Sequence, residues 1–291
     1  MSKLKRSILY WILLSPVVVM ALFPFVVMFV TALKPSSEML SPTWWPSEPT
    51  WRNFVDMWNE TGFGPALLNS LFVSLGTTLL VIVISIPAAY ALSRYRFAAR
   101  GAFRQFLLIS QMLSPIVLVI GLFRLLIEAG GFLNYLTSTY LGWTTNFQFI
   151  DSLTGLVFVY IGFNLAFAVW MLQSYFSTIP RDLEEAAWIE GASPFKTLVK
   201  VFLPLAVPAI VVTAIFTFIF AWNEYPLALS MLRKQDVYTL PIQVVNQVAG
   251  RYTVEWNYVM AAAFVATIPI AVMFMWLQRY LMRGLALGAV K

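Results

Sequence analysis

An all-α, polytopic integral membrane protein with six transmembrane helices is the fold the sequence predicts, and three observations predict it. Of 291 residues, 60% are hydrophobic and only 11% charged, whereas a soluble domain carries about 25% charged residues to cover its surface. Six nearly uninterrupted apolar stretches each reach at least 21 residues, enough at about 1.5 Å per helical residue to cross a hydrocarbon core of about 30 Å. The basic residues, finally, fall mainly on alternate connections, as they do in membrane proteins with a fixed orientation. A water-soluble globule, a disordered chain and a coiled coil are excluded by the composition alone.

The predicted spans are residues 8–33, 67–92, 106–127, 153–176, 201–222 and 257–277. The first follows Lys3, Lys5 and Arg6; its apolar run is longer than a signal-peptide core and lacks a small-x-small cleavage site, so it reads as a retained span. Thirteen Lys and Arg residues lie on the termini and on the connections at 93–105 and 177–200, five lie on the opposite connections, and Arg124 lies inside the third span near one end. The positive-inside rule therefore places both termini and the 178–204 loop in the cytoplasm, at the inner membrane. The excess of +6 charges is a topology signal, its partner is membrane lipid, and nucleic acid drops out.

The chain has neither His nor Cys, which removes zinc sites, thiol nucleophiles and imidazole acid–base chemistry. No metal site and no catalytic constellation is visible. There is no G-x-x-x-x-G-K-[ST] phosphate loop, so any nucleotide chemistry has to come from another subunit. The connections at 34–66 and 223–256 are long and rich in Trp and Pro. Tryptophan at span ends suits interfacial anchoring, and segments of this length also suit a surface for an external partner.

The loop between the fourth and fifth spans carries the most information. Pro180 suits a first helical turn, and Asp182, Glu184 and Glu185 put negative charge at the positive end of the helix dipole. Gly191 is a natural stop. Ser193 and Pro194 then start a second short helix as N-cap and first residue, with Phe195, Leu198, Val199 and Phe202 as an apolar stripe opposite Lys196 and Lys200. A helix pair lying on the headgroups accounts for that pattern. Against it stand four carboxylates, Asp182, Glu184, Glu185 and Glu190, which an anionic leaflet repels, and a small flat face at Ala186 and Ala187 that suits a groove in another protein.

Glu185-Ala186-Ala187, Gly191 and then Leu203-Pro204 resemble, at matching spacing, the EAA loop of permease subunits of ATP-binding-cassette (ABC) importers. Glu190 stands where that pattern usually has Asp, and Val201 where it usually has Ile. The stretches Ala221-Trp222-Asn223-Glu224-Tyr225 and Thr239-Leu240-Pro241, with the segment from Gln278 to Lys291, are similar to the shorter, six-span, MalG-like permease of maltose-type carbohydrate importers. The resemblance implies one permease domain over 1–291 with the type I importer fold. It implies a solute, a carbohydrate or polyol, carried across the cytoplasmic membrane. Coupling to the ATPase would run through Glu185, Ala186, Ala187, Gly191, Leu203 and Pro204. It implies no cofactor in this chain, ATP and Mg2+ being bound by two partner ATPase subunits, together with a sister permease and an external solute-binding protein.

Trp222, Asn223 and Glu224 are the candidate substrate-pathway residues. A carboxylate inside a span costs about 2.5–3.5 kcal/mol and is a functional candidate, and Trp beside an amide and a carboxylate suits a sugar. A structural or gating role, or a water-exposed cap at the span end, accounts for Glu224 too. Arg124 is expected to snorkel to the headgroups. The rival readings are an ABC permease for a non-carbohydrate solute, a secondary transporter, whose mid-membrane charged sites and inverted repeat are not visible, and a membrane enzyme.

Overall fold

The computed structural model describes residues 3–140, 147–249 and 254–288. Among these residues the chain forms twelve α-helices and no strand: α1 (Lys3–Ala32), α2 (Arg52–Glu60), α3 (Phe63–Arg94), α4 (Arg100–Ser110), α5 (Pro115–Tyr140), α6 (Leu153–Phe176), α7 (Asp182–Ile189), α8 (Pro194–Thr197), α9 (Leu203–Asn223), α10 (Pro226–Met231), α11 (Leu240–Asn246) and α12 (Trp256–Gly288). Six helical stretches are long and apolar enough to cross a membrane: Tyr10–Ala32, Phe63–Arg94, Pro115–Tyr140, Leu153–Phe176, Pro194–Asn223 and Trp256–Gln278.

Three expectations require correction. The third span is not 106–127: α4 ends at Ser110, and α5 begins at Pro115 and runs to Tyr140. The sequence Gln-Met-Leu-Ser-Pro breaks the apolar run because proline disfavours helical backbone at the residue before it and lacks the N–H that would continue the ladder. Arg124 consequently lies in mid-α5 rather than near a span end, and its Nε is 3.3 Å from Glu128 Oε1, one turn along the helix. The second short helix of the 178–204 loop is likewise not separate. α8 passes through a π-helical turn at Leu198–Phe202 directly into α9, making one stretch of 30 residues. Pro204 has no N–H to offer the preceding turn, and a wide turn just before it is a common way to accommodate that loss.

The chain comprises two compact units. The first is Met1–Gly64 with Gln243–Pro269. Here Asn53 is buried, and its amide donates to the carbonyls of Ala32 at 2.7 Å and Lys34 at 2.8 Å. It thereby satisfies a carbonyl that the end of α1 leaves without an intrahelical partner. The Asn53 Oδ1 accepts from Asn257 Nδ2 at 3.0 Å, which ties α2 to the start of α12. Phe29 packs on Phe264 at 5.1 Å and on Trp51 at 5.8 Å between ring centroids.

The second unit is Pro65–Ile242 with Ile270–Lys291, and α6 is its central helix. Of the α6 span window 61% is buried within the chain, against 0% for α1, so α6 is a protein-packed span and the α1 window is exposed in the single chain. α6 and α9 run antiparallel, joined by the ring pairs Tyr160–Phe220 and Phe167–Phe216, and Phe176 at the end of α6 meets Phe202 of the π-helical turn that leads into α9. α6 starts at an Ser152 cap whose hydroxyl accepts from the Gly155 N–H at 3.4 Å. A Cβ at Gly155 would run into the Phe149 carbonyl, so that close approach requires glycine. A shell of Ala89, Leu172, Phe176, Ile179, Leu198 and Phe202 forms the core at the end of this unit that carries the 178–204 loop.

Candidate functional site: the loop helix and the Glu224 clamp

The loop helix α7 begins at Asp182, two residues after Pro180, with the Arg181 carbonyl accepting from the Glu184 and Glu185 N–H groups at 2.9 and 3.0 Å. Pro180 thus precedes the helix instead of occupying its first turn. At the other end Gly191 takes φ +78°, the left-handed conformation that costs any residue with a Cβ about 1–2 kcal/mol. Its N–H donates to Trp188 O, and the Ala192 N–H reaches back to Ala187 O, both at 2.9 Å. That pair of bonds is the Schellman closure. Ser193 and Pro194 then behave as expected, the Ser193 hydroxyl accepting from the Lys196 N–H at 3.3 Å.

The four carboxylates do not act together. Asp182, Glu185 and Glu190 are exposed, whereas Glu184 is buried. One Glu184 oxygen accepts from the Tyr90 hydroxyl at 2.8 Å, and the other lies 3.5 Å from Arg94 Nε. Arg94 also donates through Nη2 to the carbonyls of Phe176 at 2.9 Å and Ile179 at 2.6 Å, and its guanidinium sits 4.6 Å over the Phe202 ring. The Tyr90 ring meets Phe202 edge-on at 4.9 Å. Both side chains of the ion pair are about 5% exposed. Surrounding apolar packing strengthens the attraction, and removing one member of such a pair costs about 3–5 kcal/mol because the other is left buried and uncompensated.

The remaining members of the EAA pattern are spread along the loop. Glu185 and Ala186 are exposed, Ala187 and Leu203 are half-buried, and Pro204 is exposed just after the π-helical turn. The apolar stripe of the following helix divides. Leu198 and Phe202 enter the core, while Phe195 is 75% exposed and faces outward with Val199, Trp188 and Ile189.

At the far end of α9, Trp222, Asn223 and Glu224 point to three different environments. Trp222 is buried and stacks on Phe218 at 5.5 Å. Asn223 is exposed, and its amide donates to Ile219 O at 3.0 Å. Glu224 is buried, not a water-exposed cap. One carboxylate oxygen accepts from the Leu227 N–H at 2.8 Å; the other accepts from the Ala228 N–H at 3.0 Å and the Tyr160 hydroxyl at 2.6 Å. The chain turns to extended backbone at Glu224, and Pro226 opens α10. The carboxylate therefore caps α10, whose first N–H groups have no intrahelical acceptor, and fastens it to α6. Of the three, Asn223 alone is exposed.

Sequence reasoning missed Tyr90, Arg94 and Tyr160. Tyr90 and Arg94 are four apart on α3, the spacing that puts two side chains on one helix face; that was the available signal, although nothing in the spacing points to Glu184. Among the described residues no group of three or more Asp or Glu side chains is placed to hold a metal ion.

Among the described residues, six helices long and apolar enough to cross a membrane, a buried α6 packed on α9, and a capped loop helix with exposed side chains between the fourth and fifth spans fit a polytopic membrane protein. The comparisons agree. Residues 81–287 match the family described as binding-protein-dependent transport system inner membrane component, and the chain belongs to that family. Among its relatives, the trehalose transport system permease protein SugB of Mycobacterium tuberculosis is 35% identical over 288 residues, covering 98% of each chain. The trehalose/maltose transport system permease protein MalG of Thermococcus litoralis is 34% identical, covering 94% of this chain and 92% of that one. A crystal structure of a bacterial ABC transporter involved in import of the acidic polysaccharide alginate shares the fold, with a TM-score of 0.73 at 21% identity over 96% of this chain and 98% of that one. The chain is a multi-pass, inner-membrane permease subunit of an ABC importer, a transport component and not an enzyme.

Proposed function

We propose that the transported solute is a carbohydrate, and that the chain works with two ATPase subunits holding ATP and Mg2+, a sister permease and an external solute-binding protein. The names of the two relatives, which handle trehalose and trehalose or maltose, support the substrate class. The observation that carries the ATPase reading is α7 itself: Glu185, Ala186 and Ile189 are left in the open on a helix with firm ends. Beside them Trp188 and Phe195 supply the aromatic groups that interfaces favour. In this reading Glu185, Ala186, Ala187 and Gly191 form the ATPase contact, and Leu203-Pro204 the joint through which displacement of α7 reaches the fifth span. Asn223 is the candidate for direct solute contact.

The experiment is reconstitution of the chain with its partner subunits in proteoliposomes and uptake of a panel of di- and oligosaccharides. ATP-dependent uptake of at least one sugar, abolished without the binding protein, is expected; uptake confined to a non-carbohydrate solute would contradict the substrate class.

The orientation with both termini and α7 in the cytoplasm rests on the distribution of thirteen basic residues against five. Because the chain has no cysteine, Ser47→Cys should react with an impermeant thiol reagent added to intact cells and Ser193→Cys should not. The reverse pattern would invert the topology.

A further inference from the structure

α7 is eight residues long, and Glu184 is its one buried side chain. Asp182, Leu183, Glu185, Ala186, Trp188 and Ile189 are all exposed and Ala187 is half-buried. The helix packs against α8 and the π-helical turn that follow it, and Glu184 is the side chain by which it is hydrogen-bonded and ion-paired to a membrane span. Glu184 touches Tyr90 and Arg94 of α3. Arg94 in turn holds the carbonyl of Phe176 at the end of α6 and that of Ile179 in the loop, and it rests on Phe202 of the π-helical turn leading into α9. One carboxylate therefore collects three spans.

We propose that Tyr90, Glu184 and Arg94 are positioning residues that lock α7 to the loop-side ends of α3, α6 and α9, so that ATP-driven displacement of α7 moves those spans together and is not dissipated in the loop. The inference rests on the reading of α7 as the ATPase contact. A soft attachment would let α7 follow the ATPase while the spans stayed behind, and hydrolysis would then proceed without transport. The node is built to be stiff: its charges are buried among apolar side chains, and the planar guanidinium fixes three partners in one geometry.

The test uses the complete complex in proteoliposomes and reads solute moved per ATP hydrolysed, alongside the amount of ATPase that copurifies. Glu184→Gln keeps the shape and an acceptor for Tyr90 but sets an amide against a buried guanidinium. It is expected to lower the transport-to-hydrolysis ratio about fivefold, the lower end of ordinary coupling between sites, with ATPase still copurifying and hydrolysing. Tyr90→Phe removes one hydrogen bond and should give a smaller drop in the same ratio; it decides the matter if Glu184→Gln does not assemble. The double variant Arg94→Gln with Glu184→Gln, two neutral side chains able to bond to each other, should recover part of the ratio.

An unchanged ratio in an assembled Glu184→Gln complex would overturn the proposal. So would loss of transport strictly in proportion to loss of assembled complex, since that is what a merely structural pair predicts. Failure of the ATPase-contact reading is a separate result: ATPase would then copurify normally with Glu185→Lys.

Discussion

Glu185→Lys should leave a chain that inserts and folds but no longer retains its ATPase. Glu185 is exposed, and among the described residues its side chain takes part in none of the three ion pairs, so the change falls on whatever docks there. Reversing a charge at a partly desolvated contact costs about 2–5 kcal/mol, which is upward of thirtyfold in affinity. Copurification and ATP-coupled uptake should fall together, while the thermal stability of the isolated chain stays within about 0.5 kcal/mol of its starting value. Gly191→Pro should reach the same end by another route. Proline holds φ near −65° and cannot take +78°, and it deletes the N–H that closes on Trp188. Retention of full copurification and uptake by both variants would favour a helix that merely lies on the headgroups.

Glu224→Gln should be damaging even though it is nearly isosteric. Both carboxylate oxygens accept a backbone N–H, from Leu227 at one and Ala228 at the other. An amide has one oxygen, so whichever way it is turned its NH2 group faces one of those donors. Each buried donor left without an acceptor costs about 1–3 kcal/mol. The expected outcome is a lower melting temperature in detergent and a reduced maximal uptake rate, with the solute concentration at half-maximal rate little changed. Tyr160→Phe, which loses one of the three bonds, should be milder. If Glu224→Gln instead leaves stability intact and shifts the half-maximal concentration, the carboxylate contacts solute, and its capping role is secondary.

These two positions show how far the sequence reaches. The span count, the C-terminal end of α7 and the start of α8 were legible because apolar length, a stop glycine and a Ser-Pro start are local signals acting over a few residues. Gly191, Ser193 and Pro194 sit as local rules require. The partners of buried charges are set by tertiary packing and leave no such trace. Glu184 and Glu185 are adjacent and identical, yet one closes a node with residues some ninety positions earlier while the other is solvent-facing. Glu224 stood out as an acid in apolar surroundings, but its partners, Tyr160 and the first turn of α10, follow from how α6 and α9 pair. Hydropathy alone carries the third span across Ser114-Pro115, where proline disfavours helical backbone and the chain breaks between α4 and α5.

The central claim, that the exposed face of α7 is the contact with an ATP-hydrolysing partner, is tested most directly by site-specific cross-linking on this cysteine-free chain. In membranes containing the assembled importer, Ala186→Cys carrying a short thiol-reactive photocrosslinker should yield a product with the ATPase subunit, and Ser47→Cys should not. No ATPase product from Ala186→Cys, in membranes where the same variant still supports ATP-driven uptake, would contradict the account.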